Sequence, residues 1–250
     1  MKEKTGFRRR MIIILLSTSL AFFSLQQFVF HDIHETGFLL LQDMTFLPIH
    51  VLFVTLILDQ IIKRRERRER MEHQNIVISA FFSEIGTTTL RVLGDLMQNV
   101  KNTTFFSDYL NVELTWEESK LDKSVEAIKN YPYHAKVNAE ELEKIKQSLI
   151  PKKAQIVQLF NNPNLLENDA FTDMIWGLYH LMDELENRKD FSSLPKSDLE
   201  HLEKDVERAY AGLLHEWMVY LKHLKKKYPY LWSLAIRKNP FSDEASVIVQ

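Results

Sequence analysis

The sequence predicts an all-α protein made of a transmembrane helical hairpin followed by a cytosolic helical bundle. Two long apolar runs lie near the N-terminus, and signals for helix starts recur after residue 110 without the alternation of a strand ladder. The chain has only six glycines and seven prolines among 250 residues, too few for a turn-rich β architecture. Averages of 45% hydrophobic and 26% charged residues conceal this division.

The first apolar run, residues 11–31, contains no Asp, Glu, Lys or Arg. About 20 helical residues cross the roughly 30 Å hydrocarbon layer, so we expect transmembrane helix 1 here. Transmembrane helix 2 is expected at 38–62, where only Asp43 and Asp59, near the two ends, interrupt the apolar residues. Residues 32–37 would form a short external loop. A cleaved signal peptide is the alternative for the first run, because basic residues precede it.

Flanking charge predicts the orientation. Residues 1–10 carry five basic residues and one acid, and residues 63–70 carry six basic residues and two acids, so each flank is +4. By the positive-inside rule, both termini are cytoplasmic in a multi-pass inner-membrane protein. The basic N-terminus and the juxtamembrane linker helix, 63–74, would meet anionic lipid headgroups through Arg8, Arg9, Arg10, Lys63, Arg64 and Arg65.

Polar residues within the hairpin suggest a second reading. Ionisable groups are costly in a bilayer, which makes Gln26, Asp43 and His50 candidates for a transport path. Asp43 and His50 are seven residues apart and share a helix face. Two helices enclose no pore, so transport would require a homo-oligomer, and we also expect the anchoring hairpin to self-associate.

The remaining chain predicts a cytosolic α-helical domain at 75–240 with a frayed tail at 241–250. Residues 71–250 have a net charge of −6, which argues against nucleic-acid binding. Capping-box patterns begin at Thr115, Asn138 and Ser197. The expected helices continue from the membrane to about residue 100 and then occupy 116–130, 139–149, 151–161, 168–188 and 198–227.

The stretch 217–242 is basic and aromatic, with six Lys or Arg and no acid. One interpretation is docking on anionic headgroups, carried by Lys225, Lys226, Lys227 and Trp232. The other is that the three lysines complement the C-terminal dipole of a helix while Trp232 packs on the bundle.

His180 with Glu184 and His201 with Asp205 have the i, i+4 spacing of paired metal ligands, as in hemerythrin-type four-helix proteins. A helical wheel places His180 opposite the apolar arc of its helix, and His201 and Asp205 off the apolar stripe of the next. We therefore expect solvated side chains and no metal or cofactor. The absence of Cys and of nucleophile, phosphate-loop and zinc-protease motifs predicts a protein that is not an enzyme.

The hairpin, the Arg/Glu linker, the segment NIVISAFFSEIGTTTL from Asn75 and the ending YLKHLKKKYPYLWSLAIRKNPF from Tyr220 together resemble a family of uncharacterised prokaryotic membrane proteins. That resemblance covers nearly the whole chain and implies a bacterial or archaeal inner membrane, but no site residue. The sequence thus favours a membrane-anchored helical interaction or signalling module with an unidentified protein partner. The alternative is a subunit of an oligomeric ion or small-solute channel or transporter.

Overall fold

A computed structural model describes residues 13–14, 16–25, 28, 33–100, 103–166, 168–242 and 245–248 of the chain. The chain divides into two compact units, residues 1–66 and residues 67–250. Each unit is described by itself below.

The first unit contains α1, Leu16–Leu25, and most of α2, Ile33–Phe81. Residues 33–37, expected in the external loop, are instead the first residues of α2, because a helix can extend past its apolar stretch into polar residues. The α2 helix also continues through Pro48. Thr36 is buried, but from residue 37 to residue 62 every side chain that the structure describes is exposed.

The second unit is an α-helical bundle, which confirms the predicted fold class for this part of the chain. After α2 come α3 (Thr87–Gly94), α4 (Glu118–Lys129), α5 (Ala139–Leu149), α6 (Lys153–Phe160), α7 (Pro163–Leu166), α8 (Asp169–Glu186), α9 (Lys196–Lys227) and α10 (Pro229–Arg237). Short helical turns occupy Phe82–Gly86, Phe106–Leu110 and Ile150–Lys152. No strand occurs among the described residues, where Met97 and Ala135 form an isolated bridge.

The α9 helix is the centre of the core. It packs against α3, α4, α8 and α10, so buried side chains project from several of its faces rather than from one stripe. Its Trp217 and Tyr210 are among the largest fully buried side chains. Two carboxyl residues of α9, Asp205 and Glu216, are also buried, although the sequence pattern placed Asp205 on the solvent side.

Helix starts follow local capping chemistry in part. The capping box at Asn138 is confirmed: its side chain accepts from the Glu141 N–H, and the Glu141 carboxylate accepts from the Asn138 N–H. The boxes expected at Thr115 and Ser197 are wrong, because α4 starts after Glu117 and α9 after Pro195. Pro195 fixes its own φ and ends the extended connector, which leaves Ser197 inside the first turn.

Two features at the C-terminal side were not expected from the sequence. The α10 helix begins at Pro229, a residue that suits a first helical position. Phe241, expected in the frayed tail, packs its ring 5.4 Å from that of Trp217. Asn239 is buried and holds this turn in place, accepting from the Phe241 N–H and donating to the Leu110 carbonyl.

Candidate functional site

The helices α8 and α9 form an antiparallel hairpin with a close seam. An added Cβ at Gly212 would lie 3.4 Å from the Met174 backbone, and one at Gly177 would lie 4.0 Å from the Cα of Ala209. At both positions backbone of the facing helix lies within 4.0 Å of an added Cβ, so the two helix backbones are close along this seam. Further along the same seam, towards the connector, the cross-helix neighbours are charged or imidazole side chains.

Four of these side chains converge at the seam. The Nε2 atoms of His180 and His201 each lie 3.3 Å from one oxygen of Asp205, Oδ2. Glu184 completes the group, with its carboxylate oxygens 3.9 Å from His180 Nε2 and 3.8 Å from His201 Nε2. One ligand atom from each of His180, Glu184 and His201 lies within 4.8 Å of the others. We call these four residues the seam cluster.

Both carboxylates of the seam cluster accept hydrogen bonds from arginines. Arg208 Nη1 donates to Asp205 Oδ1 at 2.8 Å, and Arg188 Nη1 donates to Glu184 Oε2 at 2.5 Å. Asp205 is only 1% exposed, yet no hydrogen bond reaches its Oδ2 within the described part of the chain. An unbonded buried carboxylate oxygen is costly, and this one faces the two imidazoles.

The expectation that these side chains cannot meet is wrong, whereas the expectation that both histidines are solvated is confirmed. His180 and His201 are about half exposed, but Asp205 is buried, because α9 is covered on several sides and its polar face meets α8. The sequence did contain a signal for this arrangement. The pairs 180/205 and 184/201 are centred on the same point of the sequence, which lies in the connector between α8 and α9. In an antiparallel helix hairpin, residues equally far from the connector face each other. Residue 180 must therefore meet residue 205, and residue 184 must meet residue 201.

Of the residues predicted in the membrane hairpin and its basic flanks, those that the structure describes belong to the first unit and lie on α2. Asp43 and His50 are exposed on α2. Asp59 forms an ion pair with Lys63 at 2.8 Å, one helical turn on, which raises the pKa of Lys63. Arg64 and Arg65 are exposed on the same helix. Gln26, Arg8, Arg9 and Arg10 lie outside the described residues.

The basic aromatic stretch is mostly part of the bundle. Trp232 is 5% exposed, so of the two interpretations of this residue the packing on the bundle is confirmed and the contact with headgroups is not. Lys225 Nζ lies 4.9 Å from the centre of the indole ring. Lys226 approaches Glu118 at 3.9 Å. Lys227 is exposed, as is Tyr230. The indole is buried because α10 folds back against α9 after Pro229.

A cleft of about 310 Å³ opens beside α10. Aromatic and apolar side chains of Phe82, Trp217 and Leu234 form part of its wall, and Arg91 and Lys238 supply positive charge. Tyr220, also in the wall, stacks on Phe82 with ring centres 5.0 Å apart, and burial raises its pKa.

A surface cluster of aromatic side chains on α6 and α8 was not identified from the sequence, and two of its members, Phe160 and Tyr179, are partly buried. Trp176 is 54% exposed, and its ring lies 4.3 Å from that of Phe160 and 6.0 Å from that of Tyr179. Val157, one turn before Phe160 on α6, is exposed as well. The helical wheel could have shown that Trp176 lies outside the apolar arc of α8. We call Val157, Phe160, Trp176 and Tyr179 the aromatic patch.

Comparison with known proteins places both parts of the chain in one group. Residues 70–237 match the model of the "uncharacterized protein MJ1433, C-terminal helical domain", and residues 2–62 match that of the "MJ1433, N-terminal helical domain". The chain is 36% identical over 246 residues to the uncharacterized protein MJ1433 of Methanocaldococcus jannaschii, covering 97% of each chain. The comparison with solved structures gave no match.

Proposed function

The chain belongs to the family of the uncharacterized protein MJ1433, and from this premise we propose that it is a membrane-anchored helical interaction module. In this proposal a hairpin of residues 11–31 and 38–62 spans a prokaryotic inner membrane with both termini in the cytoplasm. The helical unit then presents the aromatic patch to a protein partner.

The exposure of α2 is the observation that carries the membrane anchor. Among the described residues one continuous helical stretch, Thr36–Gly94, is long and apolar enough to cross a membrane, and it contains most of α2. Side chains such as Leu41, Phe53 and Ile62 are more than half exposed, and they lie on all sides of the helix rather than along one stripe. A single partner helix would cover a stripe, whereas lipid covers the whole circumference. The 25 residues of 38–62 would extend about 37 Å, enough for the hydrocarbon layer.

The acid at the cytoplasmic end of this segment is compatible with a bilayer. Asp59 and Lys63 form an i, i+4 ion pair. Near the headgroups a paired acid with a long basic neighbour costs much less than an isolated acid at the centre of the membrane. The six basic residues of 63–70 favour retention of this end in the cytoplasm.

The aromatic patch supports a role in protein binding. Trp and Tyr are enriched among the residues that contribute most to protein interfaces, and a half-exposed Trp beside other aromatic rings is typical of such a surface. A non-enzymatic role remains part of the proposal, as does docking of the exposed Lys226, Lys227 and Tyr230 on anionic headgroups.

Partner binding can be tested with the full-length chain as bait. Trp176→Glu places a charge in the aromatic patch, whereas Lys196→Glu changes a side chain that is 91% exposed and serves as the matched control. We expect proteins captured from native membranes to include one that is lost with Trp176→Glu and kept with Lys196→Glu. An identical set of captured proteins for both variants would contradict the role of the patch.

A channel or transporter subunit is the second candidate. It rests on Asp43 and His50, two exposed polar residues that lie two helical turns apart on α2, with Gln26 as a further candidate. Reconstitution into liposomes separates the candidates. Ion flux that disappears with His50→Ala or Asp43→Asn would favour transport, and the absence of flux from an oligomer of the intact chain would favour the interaction module.

A further inference from the structure

The seam cluster has the composition of a metal site. Two imidazole nitrogens and two carboxylate oxygens form a ligand set used by zinc, iron and other first-row divalent ions. The ligands come from two helices, each contributing a His and an acid at i, i+4, and so from positions that the hairpin itself brings together. We propose that the seam cluster binds one divalent transition-metal ion of the zinc type through His180, His201, Asp205 and Glu184.

The distances agree with this proposal. Zinc bonds of 2.0–2.1 Å at tetrahedral angles place neighbouring ligand atoms about 3.3 Å apart. Asp205 Oδ2 lies 3.3 Å from each imidazole Nε2. The Glu184 contacts are longer by about half an ångström and involve both oxygens, with Oε1 3.9 Å from His180 Nε2 and Oε2 3.8 Å from His201 Nε2. Glu184 would therefore have to shift towards the ion to bind it.

The state of Asp205 is the second, independent observation. Its Oδ2 is buried and unbonded, although two ring nitrogens are within 3.3 Å. Hydrogen bonds from protonated imidazoles would need N–H groups aligned with this oxygen. Binding of a cation requires only that lone pairs of the Asp205 oxygen and the two imidazole nitrogens point to one place. A cation there would satisfy all three atoms at once.

Two arginines donate hydrogen bonds to the carboxylate ligands. Arg208 binds Oδ1 of Asp205, which leaves Oδ2 directed at the two imidazoles. Arg188 binds Oε2 of Glu184, the oxygen nearer His201, which leaves Oε1 facing His180. Hydrogen bonds of this kind orient the ligands of metal sites. Arg208 is 62% exposed, so solvent screens much of its repulsion on an ion. The half-exposed imidazoles leave a path from solvent to the site.

The test uses the full-length chain in detergent, purified without a histidine tag and stripped with a chelator. Zinc is titrated against a chromophoric chelator for the wild type and for the double variant His180→Gln/His201→Gln. A second double variant, His73→Gln/His134→Gln, removes the same number of imidazoles from exposed positions and is the matched control. The substituted side chains are all at least partly exposed, and circular dichroism verifies that each variant is folded.

We expect one zinc ion per chain and at least tenfold weaker binding in His180→Gln/His201→Gln, with the control unchanged. Cobalt in place of zinc should show the intense visible bands of a tetrahedral site, and these bands should be lost in the same variant. Asp205→Asn should weaken zinc binding by tenfold or more while preserving the shape of the side chain. Less than a tenfold difference between the wild type and His180→Gln/His201→Gln would overturn the proposal. These outcomes are independent of whether α2 spans a membrane.

Discussion

Arg188 connects three parts of the helical unit through one side chain. Its Nε and Nη2 atoms donate to the two oxygens of Asp198 at 2.9 and 2.7 Å. Its Nη1 donates to the carboxylate and the backbone carbonyl of Glu184. This bidentate pair joins the end of α8 to the start of α9, and Arg188 lowers the pKa of Asp198. Arg188 therefore both stabilises the hairpin and positions a member of the seam cluster.

Replacing Arg188 should destabilise the chain. We expect Arg188→Met to lower the free energy of unfolding by about 1.5–3 kcal/mol at pH 7, because two partly buried carboxylates lose charged hydrogen bonds. Asp198 contributes this stability above its unfolded pKa of about 4, and the contribution is lost as the pH falls through the lower folded pKa. Urea unfolding of wild type and variant should therefore differ less at pH 3. Exposed Lys189→Met is the control, and an equal loss in it would contradict the assignment.

His223 gives a second pH dependence at the residue scale. Burial lowers its pKa, Lys227 lowers it further, and its Nε2 is buried without a hydrogen-bond partner among the described residues. Its neutral form is therefore favoured in the folded chain. The contribution of neutral His223 to the free energy of unfolding is fully present above the unfolded pKa of about 6.5. It is lost as the pH falls below that value towards the lower folded pKa.

Substituting His223 should remove part of this acid sensitivity. The imidazole packs 5.7 Å from the Tyr228 ring, so His223→Phe keeps an aromatic contact without a titratable group. We expect its unfolding free energy to decrease less than that of the wild type between pH 7 and pH 5. His134→Phe, at a largely exposed position, should keep the wild-type slope. A wild-type slope in His223→Phe would exclude His223 as the source.

At the scale of elements, the helices that have an apolar arc and a capping motif at their start could be predicted from the sequence. Which helices pack against one another could not. The α5 and α8 helices were identified from capping and periodicity, and the apolar arc of α8 is buried as expected. The burial of Asp205 was not predicted, and the sequence left open whether Trp232 packs on the bundle or faces a membrane. A helical wheel describes one helix facing one core, whereas α9 is covered by several helices and α10 folds over its end.

The turn Phe82–Gly86 shows a packing requirement that the sequence does not reveal. An added Cβ at Gly86 would lie 2.5 Å from the Phe82 ring and 2.8 Å from that of Phe81. Both rings are buried, and Phe82 stacks on Tyr220. The glycine is needed here for space rather than for backbone freedom.

Gly86→Ala should therefore destabilise the chain, although Ala favours helix. We expect a loss of about 1–3 kcal/mol in unfolding free energy from overpacking. Gly177→Ala is the matched control: its added Cβ would meet ordinary contacts at 3.9 Å and beyond, so helix propensity should make it neutral or stabilising by up to about 1 kcal/mol. Thermal unfolding of both variants measures the difference, and a stabilising Gly86→Ala would contradict the packing account.

At the scale of the whole molecule, the near-neutral net charge of −2 conceals opposite charges on different segments. Two basic flanks, each +4, border the apolar segments, and residues 71–250 carry −6. Sequence alone suggested this division, and the structure adds that the described apolar side chains of residues 38–62, on α2, are exposed. Hydrophobic surface of that extent requires lipid or another apolar partner. Membrane anchoring is therefore the central claim.

The chain contains no cysteine, so single cysteines can report topology directly. Glu35→Cys lies between the two apolar segments, and Lys196→Cys lies at a highly exposed position at the start of α9. In intact cells, a membrane-impermeant maleimide should label Glu35→Cys at once and Lys196→Cys only after permeabilisation, with both variants retained in carbonate-washed membranes. Equal labelling of the two cysteines, or release of the chain by carbonate, would contradict the anchored hairpin.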